Sequence, residues 1–224
     1  MPRRALIEKR PLLLASFVAA VAFYLLRLSE VPGLWLIVLK GAAVALLAAY
    51  ALLHRAGADE RYLAGMMAIA AVGDVAMEIA VGVGAFVFFL YHVTAISLYL
   101  RHPREHGTPT QKATAAAMLV LTPLLFWLFP ADRAVAWPAA LYGLALGGMA
   151  ACAWMSAFPR YRVGVGAALF LVADLLLAAG MGPLTGAALP DALVWPLYYG
   201  GQFLITIGVI QTLRKRHDDV VTVV

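Results

Sequence analysis

Charged side chains are scarce in this chain. Of its 224 residues, 13% are Asp, Glu, Lys or Arg and 64% are hydrophobic, whereas in soluble domains about a quarter of the residues are charged. A water-soluble globular domain is excluded, and the composition is that of an integral membrane protein. Cysteine is nearly missing too: Cys152 stands alone, so it has no intrachain disulfide partner and no multi-cysteine metal site can be built. Histidine is sparse, five in all, and only His92 falls inside a stretch expected to be helical. That excludes a histidine-rich metal centre. A carboxylate-heavy one of Asp74, Asp174 and His92 is left open with little weight, because zinc needs about three ligands and a water; no metal or other cofactor is expected. Ser97 and Ser156 lack a Gly-x-Ser-x-Gly setting and a second helical histidine, which argues against a serine nucleophile.

Long polar segments are also lacking. The breaks SEVPG, HRAGADER, RHPREHGTPTQK and FPRYR are too short for a separate soluble domain, so residues 1–224 read as a single transmembrane domain. Apolar stretches near 12–28, 34–53, 62–80, 84–100, 113–129, 137–157, 163–180 and 193–213 each approach the roughly 20 residues that span a bilayer. They predict an all-α bundle of eight transmembrane helices. The basic start ahead of Ala20-Val21-Ala22 imitates a signal peptide. The apolar run continues through Tyr24, Leu25 and Leu26, however, which predicts a retained first helix. Arg3, Arg4, Lys9, Arg10, Arg55, Arg61, Arg101, Arg104, Lys112, Arg160, Arg162, Arg214, Lys215 and Arg216 fall on one side of this arrangement, against Arg27 and Arg133 on the other. The positive-inside bias puts both termini in the cytoplasm. A net charge of +5 then reflects orientation and attraction to anionic membrane lipids; no nucleic-acid motif accompanies it, and no nucleic-acid partner is expected.

Against this apolar background two aspartates stand out, Asp74 and Asp174, each deep inside a predicted span. An ionised carboxylate at mid-bilayer costs about 2.5 to 3.5 kcal/mol even on the lenient insertion scale, so two of them point to a lined interior cavity that uses them. Counting 1.5 Å per residue from Arg61 and Arg162, both lie about 18 to 20 Å from the cytoplasmic side; Lys40 and Gln202, counted from Arg55 and Arg214, fall at about 18 to 22 Å. His92 lies lower, at about 13 Å. Tyr198 and Gln202 share a helix face, as do Asp74 and Glu78. Plainer readings compete. Tyr142, His92 and Gln202 taken singly suit interhelical hydrogen bonding, and Lys40 suits a neutralising salt bridge with either aspartate. Glu78 reads equally as an interface residue, and Tyr199 as belt or cavity. The pairs Gly82/Gly84 and Gly164/Gly166 suit tight turns or close packing, and Phe88, Phe89, Met149 and Trp154 suit core or lipid contacts. Two carboxyls in an apolar cavity fit acid/base work, since one can hold a proton while the other is ionised.

Taken together, Lys40, Gly73-Asp74, Gly84 with Phe88 and His92, Tyr142 with Met149, Gly166-Ala167 with Phe170, Asp174, Leu177-Ala178 and the segment Tyr198-Tyr199-Gly-Gly-Gln202-Phe-Leu204-Ile205 resemble, in order and spacing, the lysoplasmalogenase or YhhN-like family of membrane proteins. The likeness runs from the second predicted helix to the eighth. Ala173 stands where the family usually has Ser, and Ala95 where it often has Tyr, with Tyr99 a turn later as a substitute. The resemblance implies an eight-helix hydrolase that cleaves the vinyl ether bond of a lysophospholipid substrate, a lysoplasmalogen, releasing a fatty aldehyde and glycerophosphocholine or glycerophosphoethanolamine. It makes Asp74, Asp174 and His92 the expected catalytic residues, the aspartates dividing the acid and base roles and His92 relaying protons or orienting an aspartate, with Lys40, Tyr142, Tyr198, Tyr199 and Gln202 on the substrate side. A proton-coupled transporter and a non-catalytic lipid-binding protein are the alternatives that intramembrane carboxylates also serve. The alanine-rich, short-looped composition suggests a bacterial inner-membrane protein.

Overall fold

The computed structural model describes residues 10–54 and 57–222. The basic residues Arg3, Arg4, Lys9 and Arg55 used in the orientation argument lie outside them. Among the described residues the chain forms eight α-helices: α1 Arg10–Leu26, α2 Gly33–Leu52, α3 Ala58–Ile79, α4 Val81–Leu100, α5 Pro109–Leu128, α6 Ala136–Met155, α7 Val165–Gly180 and α8 Ala188–Thr222. A 3-10 turn, Arg133–Val135, leads into α6, and a π-helical turn, Arg160–Gly164, leads into α7. The expected all-α architecture is present. Seven helices, α2 to α8, are long and apolar enough to cross a membrane, while α1 is a shorter apolar helix of 17 residues.

Where helix ends differ from expectation, local chemistry explains it. α5 starts at Pro109, four residues ahead of the predicted 113. Thr108 caps it: its hydroxyl accepts from the Gln111 N–H at 3.3 Å, and its own N–H donates to Gln111 Oε1 at 3.0 Å, a capping box with proline at the first helical position. α3 starts at Ala58 because Asp59 and Glu60 fill its first turn, where acidic groups complement the helix dipole. α8 runs from Ala188 to Thr222 instead of 193–213, since Arg, Lys and Gln are good helix formers once water replaces lipid. It thereby takes in His217, exposed beyond the apolar part, so His92 is not the only helical histidine. A single extended residue, Ala80, separates α3 from α4. Gly84 suits that tight break, because a Cβ there would sit 2.5 Å from Met77 Cγ.

Two compact units share these helices. One comprises α1, α2, α3, α4 as far as Tyr91 and the end of α8 from Leu213; the other is His92–Thr212. In the first, α1 is tied to α2 by the buried Ser16 hydroxyl, which donates to Ala43 O at 2.6 Å. Lys40 of α2 reaches Glu78 of α3 at 2.6 Å and lies 5.7 Å from the centroid of the Phe23 ring of α1. The side chains of Lys40 and Glu78 are 16% and 39% exposed, so the pair is only part-screened. Lys40→Met is expected to lower stability by about 1 kcal/mol, and Glu78→Gln added to it should cost nothing more, read as melting in detergent. Additive losses would show that the two charges do not depend on one another.

In the second unit the segment after α4 is held along the end of α6. The Ala157 N–H donates to His102 O at 2.7 Å and the Arg104 N–H to Met155 O at 3.2 Å. The Arg104 guanidinium adds donors to Ser156 O and Phe158 O, each at 3.1 Å. Deeper in, α7 and α8 meet backbone to backbone at Gly166 and Gly201: a Cβ on Gly201 would lie 2.5 Å from Gly166 O, and one on Gly166 would lie 2.7 Å from Gly201 O. Small residues at such crossings supply the van der Waals contact that holds helices together in lipid, where the hydrophobic effect does not. This close approach sets the spacing at which α7 offers Phe170 and Asp174 to its neighbours.

Candidate active site

α7 carries Asp174 on the same face as Phe170 one turn earlier, between small residues that let neighbouring helices come close: Gly166, Ala167 and Ala173 are all buried. Asp174 is itself buried, at 7% exposure. The Tyr142 hydroxyl of α6 donates to its Oδ2 at 2.5 Å. That hydroxyl is also 3.1 Å from Nε2 of His92 on α4, while Nε2 and Oδ2 are 3.8 Å apart. His92 is wholly buried, with its ring 5.2 Å from both Tyr142 and Phe170, centroid to centroid. A carboxyl, a phenol and an imidazole thus meet in an apolar setting, where hydrogen bonds between them are stronger than in water. Such a group can hold and pass protons.

Aromatic rings extend the cluster along α8. Phe170 packs edge-on against Tyr198 at 4.9 Å, and Trp195 lies 5.7 Å from Tyr198 and stacks on Tyr199 at 6.0 Å. Tyr198, Gln202 and Thr206 form a buried polar column at four-residue spacing, in which the Thr206 hydroxyl donates to Gln202 O at 2.8 Å. Trp195, Tyr199 and Phe203 form a second column beside it. The structure therefore gathers Asp174, Tyr142 and His92 directly and Tyr198 through Phe170, with Gln202 buried a turn further on. Phe126, which lies 5.4 Å from Tyr142, Trp195 and Thr206 were not singled out from the sequence. Four-residue spacing along α8 is the signal that marks the last two, but in an apolar helix it looks the same as lipid-facing periodicity.

The other expected residues lie in the first unit. Asp74 is buried on α3, at 2% exposure. Lys40 forms its ion pair with Glu78, one turn beyond Asp74, so the carboxylate it grips is the one given no partner in the sequence reading. Glutamate's longer arm, near the end of α3, reaches the α2 ammonium from a position that is part-exposed. Phe88, in the first unit, and Met149, in the second, are buried core residues. Among the described residues no group of three His, Cys, Asp or Glu side chains is placed to hold a metal ion.

Comparison with known proteins gives this chain a family. The YhhN family matches residues 35–209. Proteins called lysoplasmalogenase from Mycobacterium bovis and from Mycobacterium tuberculosis are each 31% identical over 179 residues, covering 75% of this chain and 68% of theirs. No solved structure matches the chain. The family match takes in Lys40, Asp74, His92, Tyr142, Asp174 and Gln202, and on that match the chain belongs to the YhhN family.

Proposed function

We propose that the protein is a lysoplasmalogenase, hydrolysing the vinyl ether bond of 1-alkenyl-glycerophosphocholine or 1-alkenyl-glycerophosphoethanolamine to a fatty aldehyde and the glycerophospho-headgroup. It works as a single transmembrane domain of eight spanning helices with both termini cytoplasmic, in a bacterial inner membrane. The observation that carries this reading is the buried Asp174, hydrogen-bonded to Tyr142 beside His92, in a chain whose relatives are named lysoplasmalogenase. Vinyl ethers hydrolyse by protonation at carbon to an oxocarbenium ion, to which water adds; the resulting hemiacetal collapses to aldehyde and alcohol. One group must give a proton and another must steady the cation and direct water, a division of labour analogous to that in glycoside hydrolysis. Asp74 and Asp174 divide those roles and His92 supports them. Lys40, Tyr198, Tyr199 and Gln202 serve on the substrate side, and the substrate enters sideways from the surrounding lipid.

The deciding experiment gives the detergent-purified protein 1-alkenyl-lysophosphatidylethanolamine and its choline analogue, with an ester lysolipid as control. Aldehyde is expected from the alkenyl lipids alone. No aldehyde from folded protein on either headgroup would reject the hydrolase and leave transport or lipid binding as the uses of these carboxyls.

A further inference from the structure

Tyr142 stands between two titrating side chains that do not reach each other. Its hydroxyl lies 3.1 Å from Nε2 of His92 and 2.5 Å from Oδ2 of Asp174, whereas Nε2 and Oδ2 are 3.8 Å apart, beyond hydrogen-bonding distance. A phenol has one proton to give and lone pairs to receive another. It can therefore bond to both neighbours in either of two senses, one at a time. We propose that the Tyr142 hydroxyl bridges a two-proton wire between His92 and Asp174, and so acts as a positioning residue for proton transfer in place of the substrate contact expected from the sequence.

In one sense of the wire, the Asp174 carboxyl O–H donates to the Tyr142 oxygen, and the Tyr142 O–H donates to Nε2 of a neutral imidazole whose proton is on Nδ1. In the other, an imidazolium donates from Nε2 to the Tyr142 oxygen, and Tyr142 donates to the Asp174 carboxylate. Passing from the first to the second breaks the carboxyl O–H and the phenol O–H and forms a new phenol O–H and an Nε2–H. The carboxyl gains a negative charge, the imidazole a positive one, and the phenol stays neutral. No heavy atom has to move. Run in reverse, the same shift carries a proton from the imidazolium back to the Asp174 carboxylate.

The surroundings favour such a wire. Phe170 lies 5.2 Å from the His92 ring and Phe126 lies 5.4 Å from the Tyr142 ring, so the wire is flanked by aromatic rings. Tyr142 and His92 both approach Oδ2, and the Asp174 side chain keeps 10% of its surface accessible.

This inference rests on the acid/base reading of Asp174, and two readouts keep the two apart. Tyr142→Phe, His92→Gln and the double variant are compared for aldehyde release. Each single change is expected to lower kcat by about 100-fold, within the range of acid/base catalysis, with KM moving by less than about twofold. The double variant should be no slower than the slower single, because a wire cut at two points is no more broken than one cut at one. Raised KM with intact kcat, or losses that multiply, would overturn the wire and return Tyr142 to the substrate.

The second readout needs no substrate. The infrared carboxyl band that disappears in Asp174→Asn is expected to shift in Tyr142→Phe and, through the phenol, in His92→Gln. An unmoved band in either folded variant overturns the wire whatever the activity. A shifted band in a protein that releases no aldehyde keeps the wire and removes the hydrolase reading.

Discussion

Asp174→Asn is expected to reduce aldehyde release by about a thousandfold or more, and Asp74→Asn by a comparable factor, because acid/base groups typically contribute 10²–10⁴ to a rate. The substitution isolates proton chemistry from packing. An asparagine oxygen fills the same volume and still accepts from the Tyr142 hydroxyl that now lies 2.5 Å from Oδ2, but the amide can neither carry a proton to carbon nor balance an oxocarbenium ion. Asp174 is 7% and Asp74 2% exposed, and asparagine keeps the volume of aspartate, so the fold should survive either change. The check is aldehyde release at equal concentrations of folded protein, with melting followed in parallel. If either variant kept more than about a tenth of the wild-type rate, that aspartate would lose its place in the acid/base pair.

Gly201→Leu is expected to give no monodisperse, folded protein, and Gly201→Ala to cost about 1–3 kcal/mol, the usual penalty of overpacking. The reason lies in what a Cβ would meet: Gly166 O at 2.5 Å and Phe170 N at 3.1 Å. Both are backbone atoms, which cannot turn aside as a side chain can, so α7 and α8 would have to separate. Separation would also pull Phe170 from Tyr198, now 4.9 Å apart, and disturb the helix that carries Asp174. The neighbouring Gly200 supplies the control. A Cβ there meets nothing within 4 Å, and Gly200→Ala should be neutral or mildly stabilising, since alanine is the better helix former. Equal melting of the two alanine variants would show that backbone contact at Gly201 does not hold the helices.

How far the site could be read from the sequence depends on the kind of signal each residue gives. Asp74 and Asp174 are legible because a carboxylate in a long apolar stretch is costly wherever the helices end up. Tyr198 and Gln202 are legible because four-residue spacing puts both on one face of a helix whatever it packs against. Lys40 was recognisable as a cation inside an apolar stretch, but its partner was not: choosing Glu78 over an aspartate depends on which face of α3 meets α2 and how far each arm reaches. The α5 start at Pro109 was written in Thr108 and Gln111 as a capping box, a local signal that a hydropathy reading passes over. The continuation of α8 to Thr222 was hidden for the opposite reason, since hydropathy ends where lipid ends and a helix need not.

The sequence by itself determined the class of this protein, an all-helical membrane chain of the YhhN family with two aspartates deep in its apolar stretches. Burial cost and helical periodicity are local properties that survive any arrangement of the helices. Only the tertiary structure decided that Tyr142 lies between His92 and Asp174, that Lys40 is held by Glu78, and that Gly166 and Gly201 bring α7 and α8 into backbone contact. Each of these contacts joins residues at least 32 positions apart in the chain. Pairing at that range is fixed by which helix faces pack together, and no local pattern records it.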